Sequence, residues 1–233
     1  SAVSISMLML AIIYKEYNPT ISAIFWYPGA ALHFYLTMHT ISFWINSNQE
    51  LGHSNPAWFI PIVGNVLVPV AGVGFASSGV LMYFFSVGMF FWIILFSIIL
   101  NRIIFHHQLA VKFMPTMFIL IAPPAVGFIA YFKMFGVLDV FAIFLFNMAL
   151  FFTFLVAFMY KNFIKIKFFI SWWAFVFPIA AMAISSMLMY TKTKDTMALG
   201  LSYVMVGAVT IVIAIVIYQT ILHMLKKDIC IQE

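Results

Sequence analysis

Apolar runs of membrane length alternate with short polar breaks along the whole chain. The first run ends at Tyr14 and is followed by KEYNPT at 15–20; the later runs cover about 24–45, 57–75, 79–104, 114–132, 140–160, 168–186 and 199–225. A spanning helix needs about 20 apolar residues, so seven runs read as complete spans. The opening run is too short for one. It begins at Ser1, without an initiator Met, and reads as the remainder of a span in a chain that lacks its N-terminal part. Eight helical segments are expected, with one all-helical transmembrane domain over 1–233.

Helix breakers are not spread evenly over these segments. The third carries Pro61, Gly64, Pro69, Gly72 and Gly74, the fifth Pro115, Pro123, Pro124 and Gly127, and the seventh Pro178, whereas the sixth has neither proline nor glycine. In lipid, broken helix geometry is tolerated where the freed backbone groups face protein or a water-filled cavity. The kinked segments are therefore expected inside and the smooth fourth and sixth outside, as helical hairpins that each pair an inner with an outer helix.

At helical spacing, each kinked segment shows a stripe of small or kink-forming residues. On the third these are Pro61, Gly64, Val68 and Gly72, with Asn65 beside Gly64; on the fifth Thr116, Pro123, Gly127 and Ala130, with Pro124 as the second kink residue. On the seventh they are Ala174, Ala181 and Ser185, interrupted by the ring of Phe177. Pro178 follows that ring and is expected to oppose the carbonyl of Ala174, bending the helix there. The reading is a pore lined by small residues and plugged by Phe177.

Composition agrees with this pattern: 66% of the 233 residues are hydrophobic and 7% charged, against about 25% charged in soluble domains. The eleven Lys and Arg against six acids, net +5, lie mostly between the apolar runs, so they report topology rather than nucleic-acid binding. With a cytoplasmic C-terminus, Arg102, Lys112, Lys161, Lys165, Lys167, Lys226 and Lys227 lie inside and Lys15, Lys133, Lys192 and Lys194 outside, a distribution that favours that orientation. A multi-pass protein of the plasma membrane is expected, the inner membrane in a prokaryote. Cys230, the single cysteine, supports neither a disulfide framework nor a cysteine metal site.

Other polar residues offer little catalytic chemistry. His33 and His39, six apart, share no helical face and read as helix-to-helix hydrogen-bonding groups, with proton coupling as the alternative. His106 and His107 read as interfacial. Asn65 either faces the pore or bridges two helices. Trp26, Tyr27, Trp58, Tyr160 and Tyr190 read as interfacial anchors. No nucleophile, base and orienting group occur together, so an enzyme, a cofactor and a metal site are not expected.

PTMFILIAPPAVGFIAYF at 115–132 and KIKFFISWWAFVFPIAAMAI at 165–184 resemble the tellurite-resistance and dicarboxylate transporter family, which includes TehA-type channels and the slow anion channels of plant guard cells. NPAWFIPIVGNVLVPVAG at 55–72 is similar to the family's preceding inner helix. The resemblance implies ten helices in five hairpins around a pore within each protomer, and a homotrimer of protomers. It also implies that the phenylalanine before the proline, here Phe177, occludes the pore.

The third, fifth and seventh runs carry no Lys, Arg, Asp or Glu. A neutral pore binds ions weakly enough to release them. That fits a channel for small monovalent anions in membrane lipid, with selectivity from the basic ends and hydroxyl dipoles. A C4-dicarboxylate or sulfite carrier, with or without proton coupling, or a tellurite-resistance function, is the alternative.

Overall fold

In the computed structural model, which describes residues 1–106 and 108–229, the eight expected segments are all helical. The readings on His107 and Cys230 lie outside the described residues. Five segments are long and apolar enough to cross a membrane by length and composition: Ser78–Phe105, Val111–Phe135, Val140–Phe158, Ile170–Thr193 and Thr196–Leu225. Ala2–Tyr14 and Pro56–Gly72 are shorter apolar helices. The second segment, Pro19–Asn46, is one continuous helix despite the internal Pro28. No strand occurs among the described residues, so the fold is all-α.

Two asparagine–proline pairs start helices in the same way. The side chain of Asn18 accepts the N–H groups of Thr20 and Ile21, and Asn55 accepts that of Ala57, with Pro19 and Pro56 in the first turn. A proline there gives up an N–H that has no intrahelical partner in any case. At the other end of the chain, Lys194 closes the seventh segment in the left-handed conformation at φ 57°, and Asp195 caps the eighth by accepting from Met197 N–H.

The breaker-rich segments are the ones that change helix type. The third runs as 3₁₀ over Pro56–Phe59, α over Ile60–Val63, 3₁₀ over Gly64–Val66 and α over Leu67–Gly72. The fifth is 3₁₀ over Val111–Leu120 and α over Ala122–Phe135; the seventh is 3₁₀ over Ile170–Phe175 and α over Val176–Thr193. This alters the expected role of Pro178. It is the third residue of its α-helix, where its missing N–H costs nothing, and Ala174 lies in the 3₁₀ turn before it. Pro61, Pro123 and Pro124 likewise stand in the first turn of an α-helix. The first N–H past the proline pair, that of Ala125, resumes the ladder on Ile121 O at 3.2 Å.

The chain forms two compact units, Ser1–Gln108 with Val126–Ile143, and Leu109–Ala125 with Phe144–Glu233. In the first unit, neighbouring segments pair as antiparallel hairpins. Ser22 Oγ donates to Ala11 O at 2.6 Å, Gly29 lies against Met7 and Leu8, and Ser4 Oγ meets His33 Nδ1 at 2.9 Å. The third and fourth segments pair through Gly72 against Leu81 and Gly88 against Val66. Lipid supplies no hydrophobic drive between helices, so such close approaches of small residues supply van der Waals contact instead. Trp26 departs from its expected interfacial position: it is 3% exposed, and its indole N–H donates to Val68 O at 2.9 Å, joining the second segment to the third.

In the second unit the seventh and eighth segments form another antiparallel hairpin, with Trp173 Nε1 donating to Thr220 Oγ1 at 3.2 Å. The 3₁₀ portions of the fifth and seventh segments pack together, and Ser171 Oγ donates across to Lys112 O at 2.5 Å.

Candidate functional site

Within the first unit, the stripe on the third segment is engaged by its neighbours. Gly64 lies so close to the His33 ring that an added Cβ would meet Cε1 and Nε2 at 2.8 Å. Gly72 is held between Leu81 and Trp26, and Val68 is fully buried. Pro61 is half-buried, and its carbonyl accepts from Thr37 Oγ1 at 2.9 Å. The Asn65 amide donates to Thr37 Oγ1 at 2.8 Å and to Ile62 O at 2.6 Å, so it bridges two helices. Gly127, from the fifth segment, is also buried in this unit.

In the second unit, Thr116, Pro123, Pro124, Pro178, Ala181 and Ser185 are buried and Ala174 is half-buried. Ser185 Oγ lies 3.1 Å from Ala125 O and 2.8 Å from Ala181 O, which ties the seventh segment to the fifth. Thr116 Oγ1 donates to Phe113 O at 2.6 Å. Both hydroxyl protons are therefore committed to carbonyls. Neither hydroxyl has a proton left to offer an anion.

Two phenylalanines on either side of Val176 differ sharply in surroundings. Phe175 packs edge-on to Phe118 at 4.6 Å and lies about 6.0 Å from both Phe163 and Trp172. Phe177 makes no ring–ring contact among the described residues and remains 36% exposed. It stands at the second position of the α-helix, where the 3₁₀ turn gives way. The ring singled out by the small stripe is thus the one without aromatic clamps.

Lys15 has a role that loop counting did not reveal. Its ammonium donates to Ala71 O at 3.0 Å and Val73 O at 2.5 Å and sits 3.6 Å over the Phe75 ring. It thereby satisfies carbonyls at the end of the broken third segment, where a cation also suits the helix dipole. Partial desolvation, opposed by Glu16 and reinforced by Lys133, lowers its pKa from the ordinary 10.5. A sequence signal exists only in hindsight, as a lone lysine in a break otherwise made of turn residues. The pairing of His33 with Ser4 had no local signal, because the two are 29 residues apart.

The family model described as voltage-dependent anion channel matches residues 1–221. Two uncharacterized transporters of Methanocaldococcus jannaschii, MJ0762 and MJ0576, are each 29% identical over 213 and 216 residues, covering 81% and 83% of this chain and 62% of each relative. The S-type anion channel SLAH3 of Arabidopsis thaliana is 29% identical over 170 residues, 73% of this chain and 27% of the plant protein. The chain therefore spans about three fifths of the length of the archaeal relatives it matches, 62% in each case.

Proposed function

Because the chain belongs to the voltage-dependent anion channel family, we propose that it forms the greater part of a TehA-type channel protomer, passing small monovalent anions through a passage closed by Phe177. The observation that carries this reading is the setting of that ring. It is large, 36% exposed, free of aromatic partners among the described residues, and seated at a 3₁₀-to-α junction beside Pro178. A ring so placed changes rotamer without dismantling a cluster, and a bulky apolar group in a narrow passage blocks ions sterically and by dewetting.

The third segment is uncharged and the fifth and seventh carry lysines only at their ends, which agrees with conduction, since a fixed charge at mid-depth would trap an ion. With the Thr116 and Ser185 hydroxyls committed to carbonyls, anion preference falls to the basic ends, where Lys161, Lys165 and Lys167 are exposed. The full assembly is a homotrimer in the plasma membrane with its C-terminus in the cytoplasm.

Ion substitution in planar bilayers tests the class of transport. A channel gives currents whose reversal potential follows the chloride or nitrate gradient and ignores a pH gradient. A reversal potential that moves with the pH gradient, together with saturating flux of malate or sulfite, would replace this reading with a proton-coupled carrier.

A further inference from the structure

Three stretches of the second unit that are far apart in sequence bring their lysines to one end of it. Lys112 lies at the start of the 3₁₀ portion of the fifth segment, Lys161, Lys165 and Lys167 lie on and just after the short helix Lys161–Ile164, and Lys226 and Lys227 follow the eighth segment. Side-chain contacts join these stretches. Phe163 packs edge-on to Phe118 at 5.1 Å, Ser171 Oγ donates to Lys112 O, and Phe168, next to Lys167, stacks on His223 at 4.7 Å, three residues before Lys226. All six lysines are exposed, and among the described residues none of them forms an ion pair. The neighbouring acid, Asp228, is turned to His223 Nδ1 at 2.8 Å instead. Large apolar side chains stand out beside the lysines: Ile164 is 71% exposed, Ile170 58%, Met224 60% and Leu225 78%.

A basic residue at the end of a span is by itself an ordinary topology signal. Six unpaired ammonium groups gathered at one end repel one another, and the bare isoleucine, methionine and leucine side chains among them are unfavourable against bulk water. One partner answers both. Headgroup phosphates of anionic lipid neutralise the lysines, while the acyl boundary takes up the apolar side chains and the lysine stems. A soluble anion would meet only the charge. We propose that this end of the second unit is a binding surface for anionic phospholipid, formed by Lys112, Lys161, Lys165, Lys167, Lys226 and Lys227 with Ile164, Ile170, Met224 and Leu225. The inference goes beyond conduction, because lipid binding is read without any ion current and stands or falls separately from the gate.

The test is thermal unfolding of the full chain in a nonionic detergent at constant ionic strength, titrated with phosphatidylglycerol, with phosphatidylcholine of the same acyl chains, or with glycerol 3-phosphate. Phosphatidylglycerol at tenfold excess over its Kd should raise the native Tm by roughly 3–6 °C above the phosphatidylcholine value. Salt at about 1 M should remove most of that difference. Lys165→Gln combined with Lys167→Gln should weaken the lipid titration by about fivefold for each lysine removed. Lys226→Gln with Lys227→Gln should do the same, and serves if the first pair does not fold. Lys192→Gln with Lys194→Gln, at the opposite end of the seventh segment, should titrate as the native protein does. Equal stabilisation by phosphatidylcholine or by glycerol 3-phosphate overturns the proposal, and so does an equal loss of affinity in the Lys192 and Lys194 variant.

Discussion

Gly64 lies directly against the imidazole of His33, with room for no further carbon: a Cβ there would stand 2.8 Å from both Cε1 and Nε2. The ring itself is held from the other side. Ser4 Oγ lies 2.8 Å from Ser1 O and 2.9 Å from His33 Nδ1, so the first segment holds the ring at that nitrogen. Nε2, which has no hydrogen-bond partner among the described residues, is the nitrogen that faces Gly64. Three segments meet through one glycine and one ring.

Gly64→Ala is therefore expected to destabilise the protein by about 1–3 kcal/mol through overpacking. Thermal unfolding in detergent checks this, and adding His33→Ala should recover part of the loss. An alanine variant as stable as the native chain would contradict the close packing.

The Asn65 amide and the Thr37 hydroxyl form a second tie between the second and third segments, at 2.8 Å. A double-mutant cycle with Asn65→Ala and Thr37→Val should show coupling of about 0.6 kcal/mol, the usual size for polar pairs between membrane helices. Additive effects would show instead that the pair is incidental.

Asp139 carries the clearest pH dependence outside the spans. Its carboxyl accepts from the Tyr131 hydroxyl at 2.5 Å and from Ala142 N–H at 3.0 Å, which hold its pKa below the ordinary 3.8. A depressed carboxylate contributes stability that is complete above the unfolded value and is lost as pH falls through the native one. The Tm should thus drop on the acid side of 3.8, and Asp139→Asn should be less stable at neutral pH with a shallower acid drop. Parallel Tm–pH curves for the two proteins would contradict this.

Much of the architecture was legible in the sequence because membrane segments announce themselves by length, and breakers by residue type. The clustering of Pro61, Pro123, Pro124 and Pro178 marked the segments that change helix type, although the 3₁₀ turns were not foreseeable from a proline that fits equally well in a first helical turn. Packing partners were harder to read. Trp26 resembles an interfacial anchor by type and position, yet Val68 O, 42 residues away, draws its indole inward. The burial of Arg102 likewise depends on a loop at Gly52 that sequence spacing does not place. By sequence Asn65 suits a pore wall and a helix bridge equally; its amide is committed to Thr37 and Ile62 O.

Phe175 and Phe177 should respond to truncation in opposite ways. Phe175→Ala removes a ring from contact with Phe118, Phe163 and Trp172 and should cost about 3 kcal/mol or more in stability. Phe177→Ala should cost less, because its ring is 36% exposed and has no aromatic partner among the described residues. Unfolding of both variants under one condition checks the order, and a greater loss for Phe177→Ala would contradict it.

The most direct measurement is the anion current of Phe177→Ala against the native protein, recorded in planar bilayers with nitrate or chloride and normalised to protein incorporated. The account predicts a small native current and a large constitutive one in the variant, reversing at the anion equilibrium potential. An unchanged current in a folded Phe177→Ala protein would contradict the assignment of this ring as the gate.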